Sequence, residues 1–169
     1  MENIQLSPHF TLYELTNSST AKQYGIKNEP NETQIQNLKR LCNEVLEPVR
    51  DRIGCPLFIS SGYRGERLNA LVGGSKTTQH KFGQACDIQI YHKSLNNKDL
   101  FNLCVEMIKS GEIKVGQLIW EYGEDIPNWV HISIPYKKTN QVLKASKKYD
   151  KHYGKYVSVY EDLSEELLK

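Results

Sequence analysis

QLIWEYGEDIPNWVHISI, residues 117–134, contains two short apolar runs, Gln117 to Glu121 and Trp129 to Ile134, separated by a stretch rich in Gly, Asp, Pro and Asn. Runs of this length bounded by turn formers predict two strands joined by a turn. In the second run Trp129, His131 and Ser133 share one face of the strand, because successive side chains of a pleated strand point to opposite sides.

Working outward, Ala85 to Ile90 and Leu57 to Ser60 read as two further strands, the latter breaking at Gly62. Between them, Arg64 to Val72 predicts a short helix ending at Gly73 and Gly74, and Thr78 to Phe82 predicts a loop. The segment from Asn31 to Ile53 carries Ile35, Leu38, Cys42, Val45, Leu46, Val49 and Ile53 at a spacing near 3.6, which predicts the main core helix, kinked at Pro48. Asn96 to Lys109 is a second amphipathic helix, with Leu100, Leu103, Cys104, Met107 and Ile108 on one side and Gly111 past its end. Helices come first and strands later without strict alternation. That order predicts an α+β fold, a single domain with helices packed on one face of a mainly antiparallel sheet.

The chain has 169 residues, 38% of them hydrophobic and 25% charged, with a mean hydropathy of -0.58. One core suits that length. No apolar run approaches the roughly 20 residues that cross a bilayer, so no membrane span is expected. The opening MENIQLSPHF has neither the basic start nor the apolar stretch of a secretory signal, which predicts no signal peptide. Twenty-two Lys and Arg against 20 Asp and Glu leave a net charge of +2, too balanced for a protein built around phosphate backbones, and no nucleic acid partner is expected. Cys42, Cys55, Cys86 and Cys104 are scattered without a CxxC pair, the pattern of free core thiols. Residues 1–136 read as the domain and 137–169 as a C-terminal extension packed on it. Seven lysines lie between Lys137 and Lys155, with Tyr149 and Tyr153 among them. Such a run is a solvated face with tyrosine anchors, the alternative being a surface for single-stranded nucleic acid or an anionic polymer.

The chemistry concentrates in Thr78-Gln-His80-Lys-Phe-Gly83-Gln-Ala85-Cys-Asp87 and in His131. Two histidines and a carboxylate make a three-ligand set for catalytic zinc, leaving a fourth position open for water. His80 precedes a strand, Asp87 lies early in it and His131 sits on another, so the three can converge across neighbouring strands. By spacing alone, Asp87 could equally cap its loop or pair with Lys81. Cys86 faces away from Asp87 and is no ligand. His9, His92 and His152 read as ordinary residues.

The string resembles the S-x-H-x-x-G-x-A-x-D motif of the LAS-type zinc peptidases, the D-Ala-D-Ala carboxypeptidases and phage L-alanyl-D-glutamate endopeptidases that share a fold with the hedgehog signalling domain. Thr78 stands where serine is usual. Ser61-Gly62-Tyr63-Arg64 with Leu68-Asn69 is similar to the family's S-G-Y-R-x-x-x-L-N segment, and the likeness runs from about Phe10 to Ile134, closest to the carboxypeptidase-like subgroup.

The resemblance implies one Zn2+ per chain held by His80, Asp87 and His131. It implies that Arg64 binds a substrate carboxylate or carbonyl oxygen, as a planar permanent cation does well, the alternative being a surface arginine paired with Glu66. Thr78 is a further substrate-binding residue, or merely satisfies its own backbone. The pattern departs at the catalytic carboxylate. Relatives carry Glu or Asp three residues before the last histidine, or a histidine two before it, where this chain has Asn128 and Trp129. Neither is a base. Glu121, Glu124 and Asp125 are nearby, and Glu121 is preferred because it ends a strand resembling the glutamate-bearing strand of hedgehog-like members. The implied activity is hydrolysis of amide bonds in peptidoglycan stem peptides by a monomer, cytoplasmic until released and acting on the cell wall, as a phage lysis or virion protein or a bacterial cell-wall enzyme. The alternative is an inactive zinc-containing cell-wall-binding or structural module.

Overall fold

The computed structural model describes residues 4–169. A two-stranded ladder of β1 (Gln5–Ser7) and β2 (Phe10–Thr11) leads into two short helices, α1 (Leu12–Thr16) and α2 (Ser19–Gln23). The long amphipathic segment follows as α3 (Glu32–Leu41), a π-helical stretch (Cys42–Leu46) and α4 (Glu47–Ile53). Asn31 caps it, accepting from the Gln34 amide while the Gln34 side chain accepts from the Asn31 amide. The irregularity expected at Pro48 sits one turn earlier. There the Glu47 amide donates to the Cys42 carbonyl, five residues back, and the wider turn relieves the crowding of a proline ring against the turn before it.

β3 (Phe58–Ser61), α5 (Glu66–Leu71), β4 (Ala85–Gln89) and α6 (Asn97–Ser110) come next. Residues 79–82, expected as loop, form one 3-10 turn. Asn96 and Asp99 build a capping box for α6, and Gly111 ends it in the left-handed region at φ 78°. β5 (Gln117–Glu121), β6 (Trp129–Ser133), β7 (Gln141–Asp150), β8 (Lys155–Asp162) and α7 (Ser164–Leu167) complete the chain.

Six strands form the main sheet in the order β3-β4-β6-β5-β7-β8, antiparallel throughout except for the parallel pair β5 and β7. This is the α+β architecture that the order of helices and strands predicts. Strand alternation sorts the side chains. Cys86, Ile88, Leu118, Trp120, Val130, Ile132 and Val142 point into the core, where they meet Leu38, Leu41 and Leu46 of the long helix and Leu100, Phe101 and Cys104 of α6. The opposite face carries Asp87, His131, Glu121 and a small separate apolar cluster of Ile119, Leu143 and Ala145.

All four cysteines are free and buried, and burial pushes the Cys42 and Cys104 thiols up to about 12. The lysine- and tyrosine-rich residues after 137 are sheet strands rather than irregular chain: β7 lies along β5 and turns back as β8. No described helix is long and apolar enough to cross a membrane.

Candidate functional site

The register of the central strands builds the site. Asp87 of β4 lies directly opposite His131 of β6, and His131 lies opposite Ile119 of β5, all on the face away from the helices. His80 reaches the same point from the 3-10 turn that Thr78 caps by accepting from the His80 amide at 3.4 Å. Gly83 closes that turn at φ 67°, a conformation that costs glycine little. Thr78 therefore does satisfy its own backbone, and it also lines the cleft described below.

The three side chains are almost fully buried. His80 Nδ1 donates to the Gly62 carbonyl at 2.7 Å, which fixes the tautomer and leaves the Nε2 lone pair pointing inward. His80 Nε2 stands 3.2 Å from His131 Nδ1 and 3.3 Å from Asp87 Oδ1, and His131 Nδ1 is 3.0 Å from the same oxygen. Nitrogen and oxygen ligands about 2.0–2.2 Å from one tetrahedral zinc stand roughly 3.3–3.5 Å apart. The triangle is thus only slightly tighter than the edges of a zinc tetrahedron, and the donor set fits that metal. Burial alone would raise the Asp87 carboxyl, but the charge and hydrogen bonds of His80 and His131 outweigh it and hold the group well below the usual carboxylate range.

Arg64 is aimed at this cluster. Its Nη1 donates to Ser61 Oγ at 3.0 Å and lies 3.5 Å from Asp87 Oδ2, while its Nε is buried without a partner. The alternative pairing with Glu66 does not occur, because Glu66 binds Lys81 at 2.9 Å. That contact also removes Lys81 as a partner for Asp87. Burial lowers the Arg64 pKa and the Asp87 charge opposes it; a guanidinium keeps its proton regardless.

Several residues to which the sequence assigns no role hold this arrangement. A register irregularity between Ile59 and Ser61 sets Ser61 opposite Asp87, so Ser61 can receive Arg64. Gly62 approaches the Leu15 carbonyl so closely that no Cβ would fit. Asn28 donates to the carbonyls of Thr16 and Tyr63 and accepts from the Gly65 amide, clamping the loop that carries Arg64. Asn69 Nδ2 donates to Gly74 and Ser75 carbonyls and so fixes the loop on the other rim. The S-G-Y-R and L-N strings marked Ser61, Gly62 and Asn69 as notable; nothing local marked Asn28.

Glu121, at the end of β5, faces Trp129 across the ladder and is the diagonal neighbour of His131. Its carboxylate is buried and has no hydrogen-bond or ion-pair partner among the described residues. Burial pushes it up to about 6, with Asp87 adding to the rise and His131, Lys147 and Arg64 opposing it. Glu124 and Asp125 are exposed in the turn that follows and do not line the cleft. Asn128 holds its turn, its amide donating to the Glu121 carbonyl and its own carbonyl accepting from Gln89 and Asn97. Trp129 packs edge-on against Tyr122.

His80, Asp87, His131, Arg64, Thr78 and Glu121 line one cleft of about 1010 Å³. His9 lies apart, bound to Glu47 at 2.7 Å; His92 accepts from the Ser94 amide, and His152 packs on Tyr153. A half-buried arginine, a buried carboxylate whose pKa burial has raised and a triad that could hold a metal ion in one cleft suit polarisation and hydrolysis of an amide.

A family model described as Peptidase M15 matches residues 8–133. No curated protein matches the chain. The matched span covers three quarters of the sequence and includes both histidines and the aspartate of the buried triad, and by it the chain belongs to the Peptidase M15 family of zinc peptidases.

Proposed function

We propose that the protein is a zinc-dependent peptidase that hydrolyses an amide bond in peptidoglycan stem peptides, as a D-Ala-D-Ala carboxypeptidase or an endolysin-type endopeptidase. The observation that carries this reading is the closed triangle of His80 Nε2, His131 Nδ1 and Asp87 Oδ1, with an unpartnered carboxylate on one side and an arginine on the other.

His80, Asp87 and His131 would hold the metal. Bound there, zinc supplies Lewis acidity at the scissile carbonyl and acidifies water toward a pKa of roughly 7. Glu121 accepts the proton of the attacking water on a carboxylate oxygen and returns it to the leaving amine, a task suited to a group whose pKa burial has moved toward neutrality. Arg64 binds a carboxylate of the substrate, such as a D-Ala terminus or a D-glutamyl group, through the donors that Ser61 and Asp87 do not occupy. Thr78 offers its hydroxyl hydrogen to a substrate carbonyl at the rim.

Asn128, at the position where relatives carry the base, favours a second reading, a zinc-containing cell-wall-binding module without turnover. One experiment decides between them. Purified protein is analysed for metal, then incubated with cell-wall muropeptides whose masses are followed. One zinc per chain with a new cleaved amide is expected. Full zinc with every stem peptide intact selects the binding module, and absence of zinc from metal-replete protein overturns both readings.

A further inference from the structure

The cleft does not end at the triad. Across the sheet it runs from Arg64 beside β3, over Asp87 on β4, His131 on β6 and Glu121 on β5, to the β7–β8 hairpin. That hairpin, at residues 141–162, lies wholly outside the span matched by the family model. Alternation along β7 puts Leu143, Ala145 and Lys147 on the cleft face, paired with Asp162, Tyr160 and Ser158 of β8.

Lys147 is held in place by neutral groups. Its Nζ donates to Ser158 Oγ at 3.0 Å and sits 4.9 Å over the Tyr122 ring, and the Tyr122 hydroxyl shares a 2.8 Å hydrogen bond with the same serine. Tyr122 itself is fixed in the left-handed region at φ 55°, a costly conformation for a tyrosine, with its amide donating to the Ala145 carbonyl at 3.2 Å. Among the described residues no carboxylate forms an ion pair with Lys147. Lys147 is exposed at the cleft wall, held by neutral contacts, and Glu121 feels its charge without pairing with it, so the ammonium can receive an anion.

Three strand spacings separate β4, where Arg64 meets Asp87, from β7, which at about 4.8 Å each is roughly 14 Å. An extended peptide covers that distance in about four residues. We propose that Lys147 is a specificity-determining residue that receives a second substrate carboxylate, so that the cleft selects peptides bearing two carboxylates, one at Arg64 and one at Lys147. The inference rests on the reading of this cleft as a stem-peptide site.

The test uses the zinc-loaded chain and three forms of a stem pentapeptide: one with free D-glutamyl and C-terminal carboxylates, and two in which one or the other is amidated. Binding is read by calorimetry in the Glu121→Gln background and kcat/KM in the parent. One amidation is expected to weaken the parent about tenfold and to have no further effect in Lys147→Ala, with Lys147→Arg restoring the discrimination and Lys148→Ala, on the other face of β7, leaving it intact. If Lys147→Ala lowers all three peptides alike, or none, the assignment is overturned. Charge-selective binding without hydrolysis retains Lys147 and removes the peptidase reading, hydrolysis that ignores amidation does the reverse, and failure to bind any of the three peptides overturns both.

Discussion

The two faces of the central sheet are carried by the same strands and both are buried at the sheet's centre, yet they are built from different chemistry. One face presents Cys86, Ile88, Leu118, Trp120, Val130 and Ile132 to the helices; the other, offset by one residue on each strand, presents Asp87, Ile119, Glu121, His131 and Ser133. Burying apolar atoms stabilises the fold, while burying a carboxylate or imidazole costs free energy unless a partner compensates. Asp87 and the histidines compensate one another. Glu121 has no such partner, and its raised pKa records the cost. The core face is therefore where stability resides, and the cleft face is where stability is given up for reactivity.

The sharpest way to break this contrast is to substitute neighbours on one strand. His131→Ala on the cleft face should abolish zinc binding and hydrolysis together and remove the stabilisation that bound metal provides. That stabilisation is about 4 kcal/mol at a thousandfold excess of zinc over its Kd. Thermal unfolding with and without a chelator checks it: the wild type should lose the increment on chelation and the variant should show none.

Ile132→Ala, one residue on and fully buried in the core, should do the opposite. Removing the aliphatic side chain should destabilise the chain by about 3 kcal/mol with or without metal. Urea unfolding measures that loss, and zinc stoichiometry of the folded variant should be unchanged. If the two substitutions had similar effects on metal-free stability, the division between faces would be wrong.

Glu121→Gln sharpens the comparison within the cleft face. Shape is preserved and the base is removed, so kcat should fall roughly 100-fold while zinc is retained, and the acidic limb of the pH profile, expected at or below pH 6 because a bound cation draws the carboxylate down, should disappear. Asp125→Asn, in the exposed turn, should leave the rate nearly unchanged. Loss of turnover in Asp125→Asn with Glu121→Gln still active would reverse the roles.

The smallest effect is on metal-free stability. The pKa of Glu121 is raised in the folded state, to about 6 from an unfolded value near 4.5, so its contribution favours folding below pH 4.5 and is lost as pH rises through 6. After allowance for solvent screening this amounts to about 1 kcal/mol. Glu121→Gln should therefore match the metal-free wild type at pH 4.5 and exceed it slightly at pH 7.5, as judged by urea midpoints.

Much of this was legible in the chain itself. The 3.6 spacing from Ile35 to Ile53 and the alternation in residues 129–133 express contacts within a single element, and periodicity reports such contacts directly. The histidine and aspartate string carried its own spacing, and Arg64 lay in a recognisable segment. Glu121 was singled out among three carboxylates only through resemblance; its burial and its diagonal place beside His131 depend on how β5 pairs with β6.

What only the tertiary structure decided has a common physical origin, the pairing of segments far apart in sequence. The parallel pairing of β7 with β5 turns a lysine-rich stretch into a wall of the cleft, because register determines which alternate residues face inward and a local pattern of lysines and tyrosines does not reveal it. The π-helical turn before Pro48, the Asn28 clamp on the Arg64 loop and the irregularity that sets Ser61 opposite Asp87 likewise follow from packing against distant chain. Local sequence determined which residue types were available for chemistry. The long-range ladder determined which of them meet.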